Sequence, residues 1–407
     1  MNVASLSPLL VTLARSGLTT GLPDREPMAA GLDKIAWEEL ASLAHTHGLS
    51  ALAGAGARAS GLTPPAEVRA AWQRGSRAAA LRECRAWDET RLILDAWRPA
   101  GIEPIFLKGV LLGLRHYPAP GLRPFGDIDL LVPAAQRGAA AAALLGLGYQ
   151  CTDDLDAGGK AWCLENHFHW TFMRAGAFPV ELHWSLSFNF PPTPADLEAV
   201  CRRAEWVECP AGRVRALGAV DEALALAAHV TSHCFHLPLR CHADFAAILP
   251  HFTPADWSCL WGRAEGLGRG RDLRAVLGVG RALGFLDLAP GDAARVDADR
   301  SLDLPFLAHY AAECPFVAAP ERWLDVRNAP SPQAALARLY RVAFPRYTHL
   351  WTPQAAGEGR PARIYAAAWG RRAIRLLGGL RDLPKLAADC RRTARVHRAF
   401  GDRRRRQ

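Results

Sequence analysis

Two aspartates set one residue apart, Asp127 and Asp129, lie in the run PFGDIDLL from Pro124 to Leu131. On a strand, side chains alternate between faces, so the two carboxylates point the same way while Ile128 and Leu130 point into the core. The carboxylates are expected to share one exposed face. Like charges that close repel, and a small hard cation with oxygen ligands is the usual compensation, with magnesium the natural candidate. Fifty residues on, the run VELHW from Val180 to Trp184 places Glu181 and His183 on one strand face, alternating with Val180, Leu182 and Trp184. A third carboxylate is therefore available. Upstream, the apolar Ile105, Phe106 and Leu107 end at Lys108 and Gly109, where a strand opening into a helix leaves backbone amides free for phosphate. Lysine is scarce, with only Lys34, Lys108, Lys160 and Lys385 against 45 arginines, which gives Lys108 weight as a triphosphate contact.

Histidines form a rival arrangement. His167 and His169 share a strand face, and with His183 and Glu181 close by they could make a transition-metal site. On an expected helix from Asp221 to Leu237, His229, His233 and His236 form one stripe at i, i+4 and i+7. The sequence between His229 and His233 lacks the glutamate of a zinc-protease helix, which argues against a protease. The stripe is expected either to pack in the core or to line a cleft, where it touches nucleotide or acceptor.

Elements to position these residues can be read on both sides. Trp37, Leu40, Ala41 and Ala44 fall at helical spacing between a capping Asp33 and a stopping Gly48. A second helical stretch begins after Pro64 and Pro65 and runs from Trp72 to Trp97, with room for one break. From Gly101 the order becomes strand to Lys108, helix to Tyr117, strand from Asp127 to Val132, then an Ala-rich helix to Leu147. The runs 167–173 and 178–184 read as a hairpin, and from Asp221 onward the pattern is helical again. The expected fold class is α+β, with a mixed sheet flanked by N-terminal helices and a C-terminal helical domain. The expected divisions are 1–100, 101–215, 216–359 and a basic tail at 360–407.

Taken together, the stretch Ile105 to Gly109, the stretch Arg123 to Val132 and the stretch Val180 to Trp184 resemble the uncharacterised bacterial nucleotidyltransferases of the polymerase-beta-like superfamily. The likeness covers about residues 35 to 290. It departs from the superfamily at Lys108-Gly109, where Gly-Ser or Gly-Gly is common, and in a longer gap before the aspartates. The resemblance implies transfer of a nucleoside monophosphate from a triphosphate, ATP first, to a small metabolite, a peptide or a protein, with pyrophosphate released. It implies two Mg2+ or Mn2+ ions held by Asp127, Asp129 and Glu181. Lys108, Gly109, Arg123, Gly126, His183, His229 and His233 would contact nucleotide. An RNA-modifying or toxin-like transferase, and a non-catalytic nucleotide- or peptide-binding module on the same fold, are the alternatives; the intact carboxylate set argues against the last.

Composition limits the remaining choices. The 407 residues are 50% hydrophobic and 22% charged, the balance of a folded protein with more than one core. The ten cysteines contain no Cys-x-x-Cys pair, against a structural zinc or a disulfide framework. No stretch approaches the roughly 18 apolar residues of a spanning helix, and Met1 to Arg15 lacks the pattern of a signal peptide, so the expected location is cytoplasmic. The net charge of +9 is unevenly placed: residues 360–407 carry +12 and residues 1–359 carry −3. A polyanion partner would meet the tail.

Overall fold

The structure is a computed structural model that describes residues 3–18, 33–152, 168–187, 190–191, 193–313, 391–396 and 400. The chain divides into two units: residues 1–150 with 163–315, and residues 151–162 with 316–407. In the second unit the described residues include the helical segment 391–396. Most of the basic tail, His167, Lys160, Lys385 and Cys163, Cys314 and Cys390 lie outside the described residues.

The first unit begins with four helices, α1 (Val3–Leu18), α2 (Lys34–Thr46), α3 (Ser50–Ala59) and α4 (Ala66–Trp97). Asp33 caps α2 by accepting the Ala36 amide at 2.7 Å, as its position before the apolar repeat predicts. The helices α1 and α3 cross so closely that a Cβ on Gly56 would lie 1.8 Å from the Leu13 carbonyl oxygen. Only glycine fits there. The α4 helix runs unbroken for 32 residues, about 48 Å at 1.5 Å per residue. Its buried stripe includes Val68, Trp72, Ala86, Trp87, Ile93 and Trp97, so the room for a break in the sequence pattern is not used.

Among the described residues seven strands follow: β1 (Ile105–Phe106), β2 (Ile128–Leu131), β3 (Gln150–Cys151), β4 (His169–Met173), β5 (Val180–His183), β6 (Glu205–Cys209) and β7 (Gly212–Ala216). The helices α5 (Val110–His116), α6 (Arg137–Gly146) and α7 (Pro194–Arg202) are interspersed among them. The strands form one mixed sheet in the order β3-β4-β5-β2-β1-β7-β6, in which β2 and β5 run parallel and β1–β2 and β4–β5 antiparallel. The protein is thus α+β with a mixed sheet. The β6–β7 hairpin is an element that the sequence reading did not separate out.

A run of helices closes the unit: α8 (Ala219–Ser232), α9 (Arg240–Ile248), α10 (Pro254–Gly266), α11 (Gly270–Ala282), α12 (Pro290–Asp297) and α13 (Leu304–Glu313). The α8 helix stops five residues before the expected Leu237. His233 is its C-cap, and Cys234 and Phe235 take left-handed backbone angles (φ 51° and 59°) that turn the chain away. The expected three-histidine stripe therefore reduces to His229 and His233, whose rings lie 4.7 Å apart. Among the described residues, no helix is long and apolar enough to cross a membrane.

Candidate active site

Register brings the chemistry together. In the parallel β2–β5 pair, Asp129 lies beside Glu181 and Leu131 beside His183; in the antiparallel β4–β5 pair, His169 lies beside His183. Paired residues share a face, so three adjacent strands present Asp129, Glu181, His183 and His169 on one side. The opposite side carries Ile128, Leu130, Phe172, Val180 and Leu182, all buried. Asp127 sits one residue before β2, where the Ile128 amide already bonds the Pro179 carbonyl at 2.9 Å. This keeps Asp127 in phase with Asp129.

The carboxylate oxygens of Asp127, Asp129 and Glu181 lie within 4.8 Å of one another. Their face is not the exposed one expected from alternation. Asp129 is 1% exposed, and Asp127 and Glu181 are half-buried, because Lys108 and the imidazoles roof the sheet at this point. Lys108 Nζ lies 2.5 Å from Asp129 Oδ1 and 3.8 Å from Glu181 Oε2. His183 Nε2 lies 3.1 Å from Asp129 Oδ1 and 3.3 Å from Glu181 Oε2. The second oxygen of Asp129, Oδ2, is buried with no hydrogen-bond partner among the described residues.

Electrostatics divide the two aspartates. Burial, reinforced by the charge on Asp129, pushes Asp127 up to about 6. Burial also penalises charge on Asp129, but the Lys108 ammonium and the His183 hydrogen bond outweigh it and hold this carboxyl well below the usual range. Lys108 shows the same contest: burial disfavours its charge, and Asp129, Glu181 and Asp127 together raise it above the ordinary lysine value. Burial likewise disfavours charge on His183, yet its hydrogen bonds to Asp129 and Glu181 raise it. His169 is lowered to about 4 by burial.

The remaining residues singled out by sequence fall into different places. Gly109, between β1 and α5, has φ +70°, and a Cβ there would face the Asp127 carbonyl oxygen at 3.1 Å. The glycine lets the Lys108 turn press against the aspartates. Gly126 is exposed beside Asp127, its carbonyl held by Arg82 of α4 at 3.1 Å. His229, on α8, is half-buried; burial first, then the charges of Lys108 and His233, lower it well below the ordinary value against the opposing pull of Asp129. His233 is exposed at the end of the helix.

Arg123 is not brought into the carboxylate cluster. Its Nε and Nη2 engage both oxygens of buried Asp244 at 2.7 and 2.9 Å, and Nη1 donates to the Gly109 carbonyl at 3.0 Å. Its reach is spent on Asp244 and on propping the Gly109 turn. The arginine that does sense the cluster is Arg240, at the start of α9, whose charge eases ionisation of Asp127. Its Nε is buried with no hydrogen-bond partner. Nothing in sequence distinguishes Arg240 among 45 arginines.

A mixed sheet carrying three carboxylates at the junction of two parallel strands, between helical flanks, fits the α+β architecture of a nucleotidyltransferase. The family model described as an uncharacterised nucleotidyltransferase matches residues 33–283, and the chain belongs to that family. No curated protein and no solved structure matches it.

Proposed function

We propose that the chain transfers a nucleoside monophosphate from a nucleoside triphosphate, ATP first, to an acceptor hydroxyl on a small metabolite, a peptide or a protein side chain. The observation that carries this reading is Asp129 Oδ2, a buried carboxylate oxygen with no donor among the described residues, on one of three carboxylates that lie within 4.8 Å of one another. A buried anionic oxygen without a partner is costly, and hard oxygen donors at this spacing suit magnesium or manganese. The residues fit such ions: Asp127, Asp129 and Glu181 would hold two of them. Divalent cations bound there would neutralise phosphate charge and make the acceptor hydroxyl a better nucleophile.

In the reaction, the acceptor oxygen bonds to the α-phosphorus, the bond from that phosphorus to the pyrophosphate oxygen breaks, and the acceptor loses its proton. Glu181, half-buried like Asp127, would receive that proton. Lys108 balances the carboxylates in the cation-free protein; with cations bound there, its ammonium would be free to meet the triphosphate. Arg240 supplies a further positive charge on the Asp127 side. Gly109 keeps the Lys108 turn close, and Arg123 holds Gly109 through its carbonyl. Little covalent work is asked of the protein; orientation and charge balance carry the rate.

The test is to incubate the protein with magnesium, host extract and ATP labelled at either the α- or the γ-phosphorus. Label from the α-position should join an acceptor while γ-label leaves as pyrophosphate. Transfer of γ-label to the acceptor, or no transfer with any of the four triphosphates, overturns the reading. Lys108→Ala should weaken nucleotide binding in calorimetry more than it lowers thermal stability.

A further inference from the structure

The three carboxylates do not account for everything on their sheet face. His169 of β4 and His183 of β5 stand side by side with rings 4.9 Å apart, and carboxylate-based nucleotidyl transfer has no evident need of two imidazoles. Ligand atoms of His169, Glu181 and His183 also lie within 4.8 Å of one another. The His183 side chain is 1% exposed. Its Nδ1 lies 3.3 Å from the Ser185 carbonyl, and its Nε2 lies 3.1 and 3.3 Å from Asp129 Oδ1 and Glu181 Oε2, so the ring meets oxygen acceptors at both nitrogens. A doubly protonated ring satisfies both sides; with a single proton on Nδ1 bonded to the Ser185 carbonyl, the Nε2 lone pair is left for a cation beside the carboxylates.

His169 points the same way. Its Nδ1 is buried with no hydrogen-bond partner, and its Nε2 is 3.8 Å from Glu181 Oε1, beyond hydrogen-bond range. The backbone carbonyl on His183 Nδ1 is the kind of outer contact that fixes the tautomer of a metal-binding histidine.

We propose that His169, His183 and Glu181 form a cation position of their own, joined to the carboxylate position through Glu181 and suited to a transition cation such as Mn2+, Co2+ or Zn2+. Magnesium prefers oxygen and sheds water reluctantly, whereas imidazole nitrogen suits the later first-row ions. The face would then be graded, oxygen-rich at Asp127 and nitrogen-rich at His169. The inference deepens the proposed function and rests on its reading of the cluster as a cation site.

Pulsed electron paramagnetic resonance on the full chain loaded with Mn2+, without nucleotide, tests the point directly. Coupling of manganese to imidazole nitrogen is expected in the wild type. His169→Ala should remove part of that coupling and weaken Mn2+ and Co2+ binding ~10-fold or more, with magnesium affinity changed less. His183→Gln gives a second, independent loss. Bound Mn2+ without nitrogen coupling overturns the inference and leaves the nucleotidyltransferase reading standing. Coupling that survives in both variants overturns it as well, because the nitrogens then come from elsewhere. If calorimetry detects no binding of magnesium, manganese or cobalt to the wild type, the inference and the proposed function fall together.

Discussion

Two clusters of buried charge meet at Gly109, and they are built on opposite plans. Behind it, Arg123 and Asp244 pair through two bonds, Tyr117 donates its hydroxyl to Asp244 at 2.6 Å, and the third arginine contact goes to the Gly109 carbonyl. One cation meets one anion. In front of it, Lys108 faces Asp127, Asp129 and Glu181, and one buried oxygen has no partner. Fully matched charge props the fold, while mismatched charge marks the place where something from outside is meant to bind. The contrast identifies the candidate site more sharply than burial or residue type does.

The strongest way to break this comparison is to make matched substitutions in the two clusters. Asp129→Asn, nearly isosteric, should lower label transfer ~10^3-fold or more with the protein still folded, as expected when a group that organises charge in the transition state is lost. Asp244→Ala should instead destabilise by ~3–5 kcal/mol in urea unfolding, because it strands a buried guanidinium. If Asp244→Ala proves harmless to folding, the supporting role assigned to that cluster is wrong.

A subtler consequence concerns Asp127, whose folded-state pKa is raised to about 6. A carboxyl raised on folding costs stability as pH climbs: the cost is absent well below pH 3.8 and complete above about 6. In the cation-free protein, Asp127→Asn should therefore add ~1–3 kcal/mol at pH 7 and little at acid pH, while lowering divalent-cation affinity. Urea titrations at both pH values decide it.

The smallest expected effect lies away from both clusters, at His242, which stacks between Phe235 and Phe285 with centroids 6.4 Å from each. Burial lowers it to about 4, so the folded protein binds fewer protons than the unfolded chain between that value and 6.5. Its contribution to stability is complete above pH 6.5 and is lost as pH falls through 4. His242→Phe should flatten part of the acid-induced loss in melting temperature. An unchanged slope would mean that other groups, such as similarly lowered His47, dominate.

Strand alternation around Asp129 and Glu181 was enough to predict which residues share a face, because apolar neighbours at every second position leave one phase that buries them. It could not show that Asp129 is covered. The cover comes from Lys108, in the turn after β1, and from His183 on β5, and contacts of that kind have no local signature. Scarcity drew notice to Lys108 and abundance concealed Arg240, while Arg123, singled out through its place in the stretch before Asp127, turns to the buried Asp244. The β6–β7 hairpin escaped notice for a physical reason too. Edge strands with mostly solvent-facing side chains, such as Glu205, Trp206 and Glu208, lack the apolar run that betrays an inner strand.

The parallel pairing of β2 with β5 also acts as a gauge. Neighbouring strands stand about 4.8 Å apart whatever their side chains, so the gap between Asp129 and Glu181 is set by the backbone and not by the loops that join the strands. The buried Val180 and Leu182 lock that register from the other face. Shortening Glu181 to aspartate would leave that backbone spacing as it is and draw the carboxylate back by a single methylene, so the distance across the three carboxylates depends on side-chain length alone.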